Sequence, residues 1–207
     1  MKVLLINGSP HANGCTYTAL MEVAKTLNEE GIDTEIVHIG NKDIRGCIAC
    51  ERCDDLKRCV FNDMVNEVLP KLEECDGLVL GSPVYYSSPN GTMISFLDRL
   101  FYCSNHINKA FKVGASVVCA RRAGTTATFD VLNKYFTINQ MPVVSSRYWN
   151  MVHGNTVEEV LQDKEGLQTM RMLGRNMAFL IKSIKWGKEN LGLPEREAER
   201  HYTNFIR

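Results

Sequence analysis

Four cysteines fall within a short stretch, Cys47-Ile-Ala-Cys50-Glu-Arg-Cys53-Asp-Asp-Leu-Lys-Arg-Cys59, with the spacing C-x2-C-x2-C-x5-C. Thiols placed this closely can converge on one small object as the chain folds round it. A run of C-x2-C-x2-C is a common grip on a cubane iron–sulfur cluster. The spacing therefore points to a [4Fe–4S] cluster held by Cys47, Cys50, Cys53 and Cys59. Two other readings stay open. One is structural zinc, although four-cysteine zinc sites usually pair two well-separated C-x2-C knuckles, which a single tight run fits poorly. The other is a bare, reduced or redox-labile thiol loop.

A second chemical segment stands near the N-terminus. Gly8-Ser9-Pro10-His11-Ala12-Asn13-Gly14-Cys15-Thr16 follows a short apolar run and precedes a helical pattern. Ser9, Asn13 and Thr16 offer side-chain donors, Gly14 frees the backbone for close approach, and a helix N-terminus supplies unpaired N–H groups. Together they describe an anion site. The loop lacks both the Gly-x-Gly-x-x-Gly fingerprint and a Walker lysine, so a phosphomonoester such as that of FMN fits better than a pyrophosphate. The alternative is a plain strand-to-helix turn capped by Thr16.

These loops need elements to hold them. Apolar runs predict strands over 3–7, 34–39, 78–80 and 113–120, and Pro142-Val143-Val144 opens a fifth. Helical spacing appears over 16–30, at Val65, Val68, Leu69 and Leu72, at Met93, Phe96, Leu97 and Leu100, and at Phe129, Leu132 and Phe136. A long last helix carries Leu167 to Ile184. Residues 40–62 show no periodicity and read as a long loop. Five strands alternating with five helices imply a parallel sheet covered on both faces. Ligands of such sheets sit beyond the carboxyl ends of the strands. The strand-end loops 8–16, 82–91 and 120–126 are all rich in Gly, Ser, Thr, Pro and Asn, so one ligand can touch all three.

Composition narrows the class. The chain has 207 residues, 44% of them hydrophobic, and 24 basic against 24 acidic side chains. Zero formal charge argues against nucleic acid as a partner. No apolar stretch is long enough for a bilayer or a signal peptide, so a cytoplasmic protein with reduced cysteines is expected.

The chain resembles the NADPH-dependent FMN reductase branch of the flavodoxin-like superfamily, and within it the iron–sulfur flavoproteins. The carrying residues are Gly8-Ser9-Pro10, the four-cysteine spacing followed by Asn62-Asp63-Met64, Gly81-Ser82-Pro83-Val84-Tyr85-Tyr86, Phe96-Leu97-Asp98-Arg99 and Arg121-Arg122-Ala123-Gly124-Thr125. One departure is His11, where the family commonly has arginine; a neutral histidine holds phosphate less firmly than an arginine fork.

The resemblance implies one flavodoxin-like α/β domain over 1–207. This is a three-layer sandwich with a five-stranded parallel sheet, a cysteine-rich loop at 44–62 and a charged tail at about 188–207. It implies FMN contacts from Ser9, His11, Asn13, Gly14, Cys15 and Thr16 at the phosphate. Pro83, Val84, Tyr85, Tyr86 and Ser87 would lie along the ring, and Arg121, Arg122, Ala123 and Gly124 at its pyrimidine side. Cys75, Cys103 and Cys119 receive no role. The expected activity is an FMN-dependent oxidoreductase drawing on NADH or NADPH, with a small-molecule or protein acceptor. With a cluster, a ferredoxin becomes a candidate partner, and Arg52, Lys57 and Arg58 suit docking of an acidic carrier. The rival is a non-catalytic flavodoxin-like electron carrier. A homodimer or homotetramer is expected, with Trp149 and Trp186 suited to an interface.

Overall fold

The computed structural model describes residues 1–195 and residues 201, 203 and 205. The strands are β1 (Lys2–Asn7), β2 (Asp33–His38), β3 (Gly77–Tyr85), β4 (Ser88–Pro89), β5 (Val113–Ala120) and β6 (Met151–His153). The helices are α1 (Cys15–Glu29), α2 (Cys53–Leu56), α3 (Met64–Glu74), α4 (Gly91–Cys103), α5 (Thr125–Thr137), α6 (Val157–Gln162) and α7 (Lys164–Asn190). The parallel sheet runs in the order β2-β1-β3-β5-β6, with β4 a short antiparallel return on β3. Five main strands in this order are the flavodoxin-like arrangement, whose switch point lies between β1 and β3.

Strands β1, β3 and β5 read as unbroken apolar runs because both faces are covered. Alternate residues serve opposite layers. Leu4, Ile6, Leu78, Leu80 and Val118 pack with Phe96, Leu100 and Phe136 beneath α3, α4 and α5. Val3, Leu5, Val79, Ala115 and Val117 pack with Leu20, Val23, Met170 and Met177 beneath α1 and α7. The starts of α3, α4 and α7 are set by short polar side chains. Asp63 caps α3 by accepting from Val65 N–H, Asn90 caps α4 through Met93 N–H, and Asp163 caps α7 through Gly166 N–H. Asp163 also accepts from His153 N–H at 2.7 Å, tying β6 to the last helix.

Three expectations are refined. The fifth strand opens at Val143, which bridges Gly114, with Gly114 N–H donating to Pro142 O and Val144 N–H to Gly114 O. The chain then leaves the sheet over 145–150 and returns as β6, where Val118 N–H donates to Asn150 O. Ser146 holds the excursion together, its hydroxyl within 2.6 Å of Tyr148 O and 2.7 Å of Asn150 Oδ1. The loop over 40–62 contains the short helix α2. Of the tail expected from about 188, residues 188–190 extend α7, and most residues past Glu195 lie outside the described ones.

Phe136 is fully buried and lies directly over Gly114, where an added Cβ would stand 2.5 Å from its ring. Phe136→Ala therefore empties a site that its neighbours cannot close. It is expected to destabilise the chain by about 3–5 kcal/mol in chemical denaturation.

Candidate functional site

The carboxyl edge of the sheet is knit by backbone groups and two asparagines. Asn7, the last residue of β1, is buried; its Oδ1 accepts from Ser9 N–H (3.1 Å) and its Nδ2 donates to Ala12 O (3.0 Å). Ser9 Oγ accepts from His11 N–H at 3.2 Å. Gly8 N–H donates to Gly81 O at 2.8 Å, joining the ends of β1 and β3. Asn90 crosses the gap: Nδ2 donates to Gly8 O at 2.6 Å and its N–H to Ser82 Oγ at 3.2 Å. From the other side His38 Nε2 lies 2.7 Å from Ser9 O, a contact that requires the ring nitrogen to donate. Gly40 closes against the same carbonyl, for a Cβ there would fall 2.0 Å from Ser9 O.

The loop so held delivers the start of α1. Gly14 occupies the N-cap, no side chain caps the helix, and no acidic residue stands in its first turn. The turn capped by Thr16 does not form, and Thr16 is buried. The N–H groups of Cys15, Thr16 and Tyr17 have no intrahelical acceptor, and the helix dipole makes the position electropositive. Ser9 is buried, His11 and Asn13 are exposed, and Gly14 and Cys15 are half-buried at the rim. This arrangement can hold a phosphomonoester.

The other two loops meet it. Tyr86 and Ser87 have φ of 50° and 58° and join β3 to β4 with Tyr85 opposite Ser88, a two-residue turn of the I′ kind. Neither is glycine, so the turn carries roughly 1–2 kcal/mol of strain per residue. It presents Tyr86 fully to solvent and Tyr85 about half. Gly124, at φ 90°, touches this turn: a Cβ there would lie 2.9 Å from Ser87 Oγ and 2.9 Å from Val84 Cγ1. Pro83 and Val84 are half-buried, while Arg121, Arg122 and Ala123 are exposed at the end of β5. The sheet edge therefore places all three loops together, with Tyr85, Tyr86, Arg121 and Arg122 exposed on two of them.

Cys47, Cys50, Cys53 and Cys59 line one pocket, with Phe61, Tyr102 and Arg99 among its walls. A fifth thiol, the buried Cys103, lines it too. The chain turns sharply here, with Ala49, Glu51 and Lys57 all at positive φ. Burial raises the Cys53 thiol, and pushes Cys103 up to about 11. Among the described residues no three potential ligands close on a single metal-ion position. The four cysteines line one pocket, with Cys47 and Cys50 exposed and Cys53 and Cys59 half-buried. Arg99, 1% exposed, reaches the pocket from α4, where Asp63 grips it through both carboxylate oxygens at 2.7 and 2.9 Å. Burial opposes its charge, but hydrogen bonds to Asp63 and Cys59 outweigh that and leave its pKa raised.

Several of these residues were not singled out by sequence for a role. Asn7 is a polar side chain ending an apolar run, and Asn90 precedes a helix as a cap does, so both had a local signal. Arg99 sits among Phe96, Leu97 and Leu100 on the apolar stripe of α4, where an unpaired charge would be prohibitive. Gly40 had no local signal, because its constraint is the carbonyl of Ser9.

Residues 1–156 match the family described as NADPH-dependent FMN reductase. An iron-sulfur flavoprotein of Methanocaldococcus jannaschii is 34% identical over 196 residues, covering 89% of this chain and all of the relative. Among solved structures, RosB with a bound 8-demethyl-8-formylriboflavin-5'-phosphate intermediate superposes with a TM-score of 0.72 at 15% identity, covering 100% of this chain and 93% of that one. The NAD(P)H:quinone oxidoreductase of Methanothermobacter marburgensis gives 0.66 at 16% identity, covering 86% and 96%. With its parallel sheet, its open helix N-terminus at the switch point and these matches, the chain belongs to the NADPH-dependent FMN reductase family and is similar along its length to iron–sulfur flavoproteins.

Proposed function

We propose that this FMN-dependent oxidoreductase passes electrons between FMN at the carboxyl edge of the sheet and a [4Fe–4S] cluster on Cys47, Cys50, Cys53 and Cys59. The observation that carries the reading is the pocket walled by those four thiols, beside an edge built as an anion cradle. When bound, FMN takes up electrons in pairs from NAD(P)H and releases them singly or together, and a cluster carries them one at a time.

The chain's own residues bind and orient. The N–H groups opening α1, with Ser9 and Asn13, hold the phosphate. The strained turn at Tyr86–Ser87 and the segment Pro83–Tyr85 lie along the ring, and Arg121 and Arg122 place positive charge at its pyrimidine side, which favours the reduced, anionic form. We read the chain 1–207 as one domain; past Glu195 only residues 201, 203 and 205 are described. The acceptor is a small molecule or a protein; exposed Arg52, Lys57 and Arg58 beside the cysteines suit an acidic carrier of the ferredoxin kind. No described helix is long and apolar enough to cross a membrane, and a cytoplasmic site of action accords with free thiols. Exposed Trp149 and Trp186, at 52% and 58%, are candidate anchors for a homodimer or homotetramer. A mass of one chain by light scattering at micromolar concentration would remove that part of the proposal.

The direct test is the absorption spectrum, iron and acid-labile sulfide of anaerobically prepared protein. FMN together with about four irons per chain is the expected result; FMN with no iron or sulfide after reconstitution removes the cluster. Gly14→Asp places a carboxylate against the anion and a Cβ 2.9 Å from that of His11. FMN affinity should fall roughly 100-fold, measured by fluorescence titration, while the fold persists. Cys50→Ala should abolish most iron and sulfide and leave FMN bound, since the flavin loops lie on other segments.

A further inference from the structure

Arg99 is the largest fully buried side chain among the described residues. A guanidinium has five N–H donors, and here each has an acceptor. Nη1 donates to Asp63 Oδ2 (2.7 Å) and Arg45 O (3.2 Å), Nη2 to Asp63 Oδ1 (2.9 Å) and Cys59 Sγ (3.2 Å), and Nε to Cys59 Sγ (3.3 Å). Two of the five thus fork onto one sulfur. Pairing with Asp63 alone would use only two.

The fork is not needed to hold the backbone of Cys59, which is already pinned. Asn66 Oδ1 accepts from Cys59 N–H at 2.9 Å, and Asn66 Nδ2 donates to the carbonyls of Cys59 and Phe61, each at 2.9 Å. What Arg99 adds is directed at the sulfur. A neutral thiol is a weak acceptor, whereas a thiolate bound to iron is a strong one. Hydrogen bonds and charge at ligating sulfurs are levers on a cluster's potential, because they favour the state with one more negative charge. Phe61, 5.0 Å from the Arg99 carbon and 4.7 Å from that of Arg45, screens the group from water and strengthens its field.

We propose that Arg99 is a positioning residue for the cysteine-held cluster: its fork fixes the direction of the Cys59 sulfur and its charge raises the reduction potential, while Asp63 moderates that charge. The proposal rests on the cluster reading above. The two members of the ion pair then act with opposite sign on one-electron reduction, which a purely structural pair would not do.

The test uses FMN-loaded protein reconstituted anaerobically with iron and sulfide, with the reduced-to-oxidised ratio of the cluster read against redox dyes at fixed ambient potential. Arg99→Gln is expected to lower that ratio about tenfold, and Arg99→Lys, which keeps the charge and loses the fork, to recover part of it. Asp63→Ser retains a helix cap for α3 and is expected to raise the ratio several-fold. Arg99→Gln that keeps FMN and a native circular dichroism spectrum but takes up no iron also supports the positioning role. If Arg99→Gln does not fold, Asp63→Ser decides: a raised ratio supports the proposal and an unchanged or lowered one overturns it. Loaded variants with unmoved ratios overturn this proposal alone, whereas wild-type protein that takes up no iron or sulfide overturns the cluster reading with it.

Discussion

Strands β1, β3 and β5 are covered on both sides, so nearly every side chain along them is committed to packing. Apart from Ser116, whose hydroxyl donates to Asn133 Oδ1 at 2.7 Å, polar side chains on these strands stand towards the strand ends, and there the backbone must find partners without further sheet. The bond from Gly8 N–H to Gly81 O and the bridge from Asn90 Nδ2 to Gly8 O meet that demand. Everything else at the edge depends on this closure. With the Gly8 carbonyl and amide satisfied by neighbouring segments, the loop to Gly14 can turn inward on Asn7 and leave the first N–H groups of α1 unspent. A buried backbone group without a partner costs as much as a lost hydrogen bond, so the knot and the open cradle are two sides of one constraint.

The same economy explains where strain is tolerated. Among the described residues, Phe111 and Gln140 are two of the seven non-glycine positions at positive φ; the other five fall in two segments, Tyr86–Ser87 and the stretch containing Ala49, Glu51 and Lys57. Each is anchored by something rigid: the turn by β3, β4 and the contact with Gly124, the cysteine loop by Asn66, Arg99 and the cap of α3. Conformations costing a few kcal/mol persist where surrounding contacts over-determine them.

Much of this was legible in the sequence, and the limits have physical causes. Central strands declare themselves as apolar runs because they are buried on two faces, and α1, α3, α4 and α7 by their stripes. The phosphate loop and the four cysteines are local motifs, read from neighbours in the chain. The excursion over 145–150 was not legible, because Val143-Val144 has the composition of a strand and what interrupts it is a tertiary fit: Val143 bridges Gly114, whereas Met151 pairs with Val118. The I′ turn lacked the usual Asn-Gly mark. Arg99 stood out as part of a resemblance but not for its role, since its partners Cys59 and Asp63 lie 40 and 36 residues away.

Helix α4 begins at the Asn90 cap, inside the first site, and carries Arg99 into the second. Between them lies about 14 Å of helix axis with no glycine or proline after its first residue to bend it. The helix is thus a ruler graduated in residues. Gaining or losing one residue within it would swing Arg99 by about 100° away from Cys59 while leaving the cap untouched. A whole added turn would restore the direction but lift the guanidinium about 5 Å past the sulfur. Exchanges of side chains on its outer face leave this register intact, whereas changes of length break it. The spacing from Asn90 to Arg99 therefore sets the register between the cap at the sheet edge and the guanidinium at the cysteine pocket.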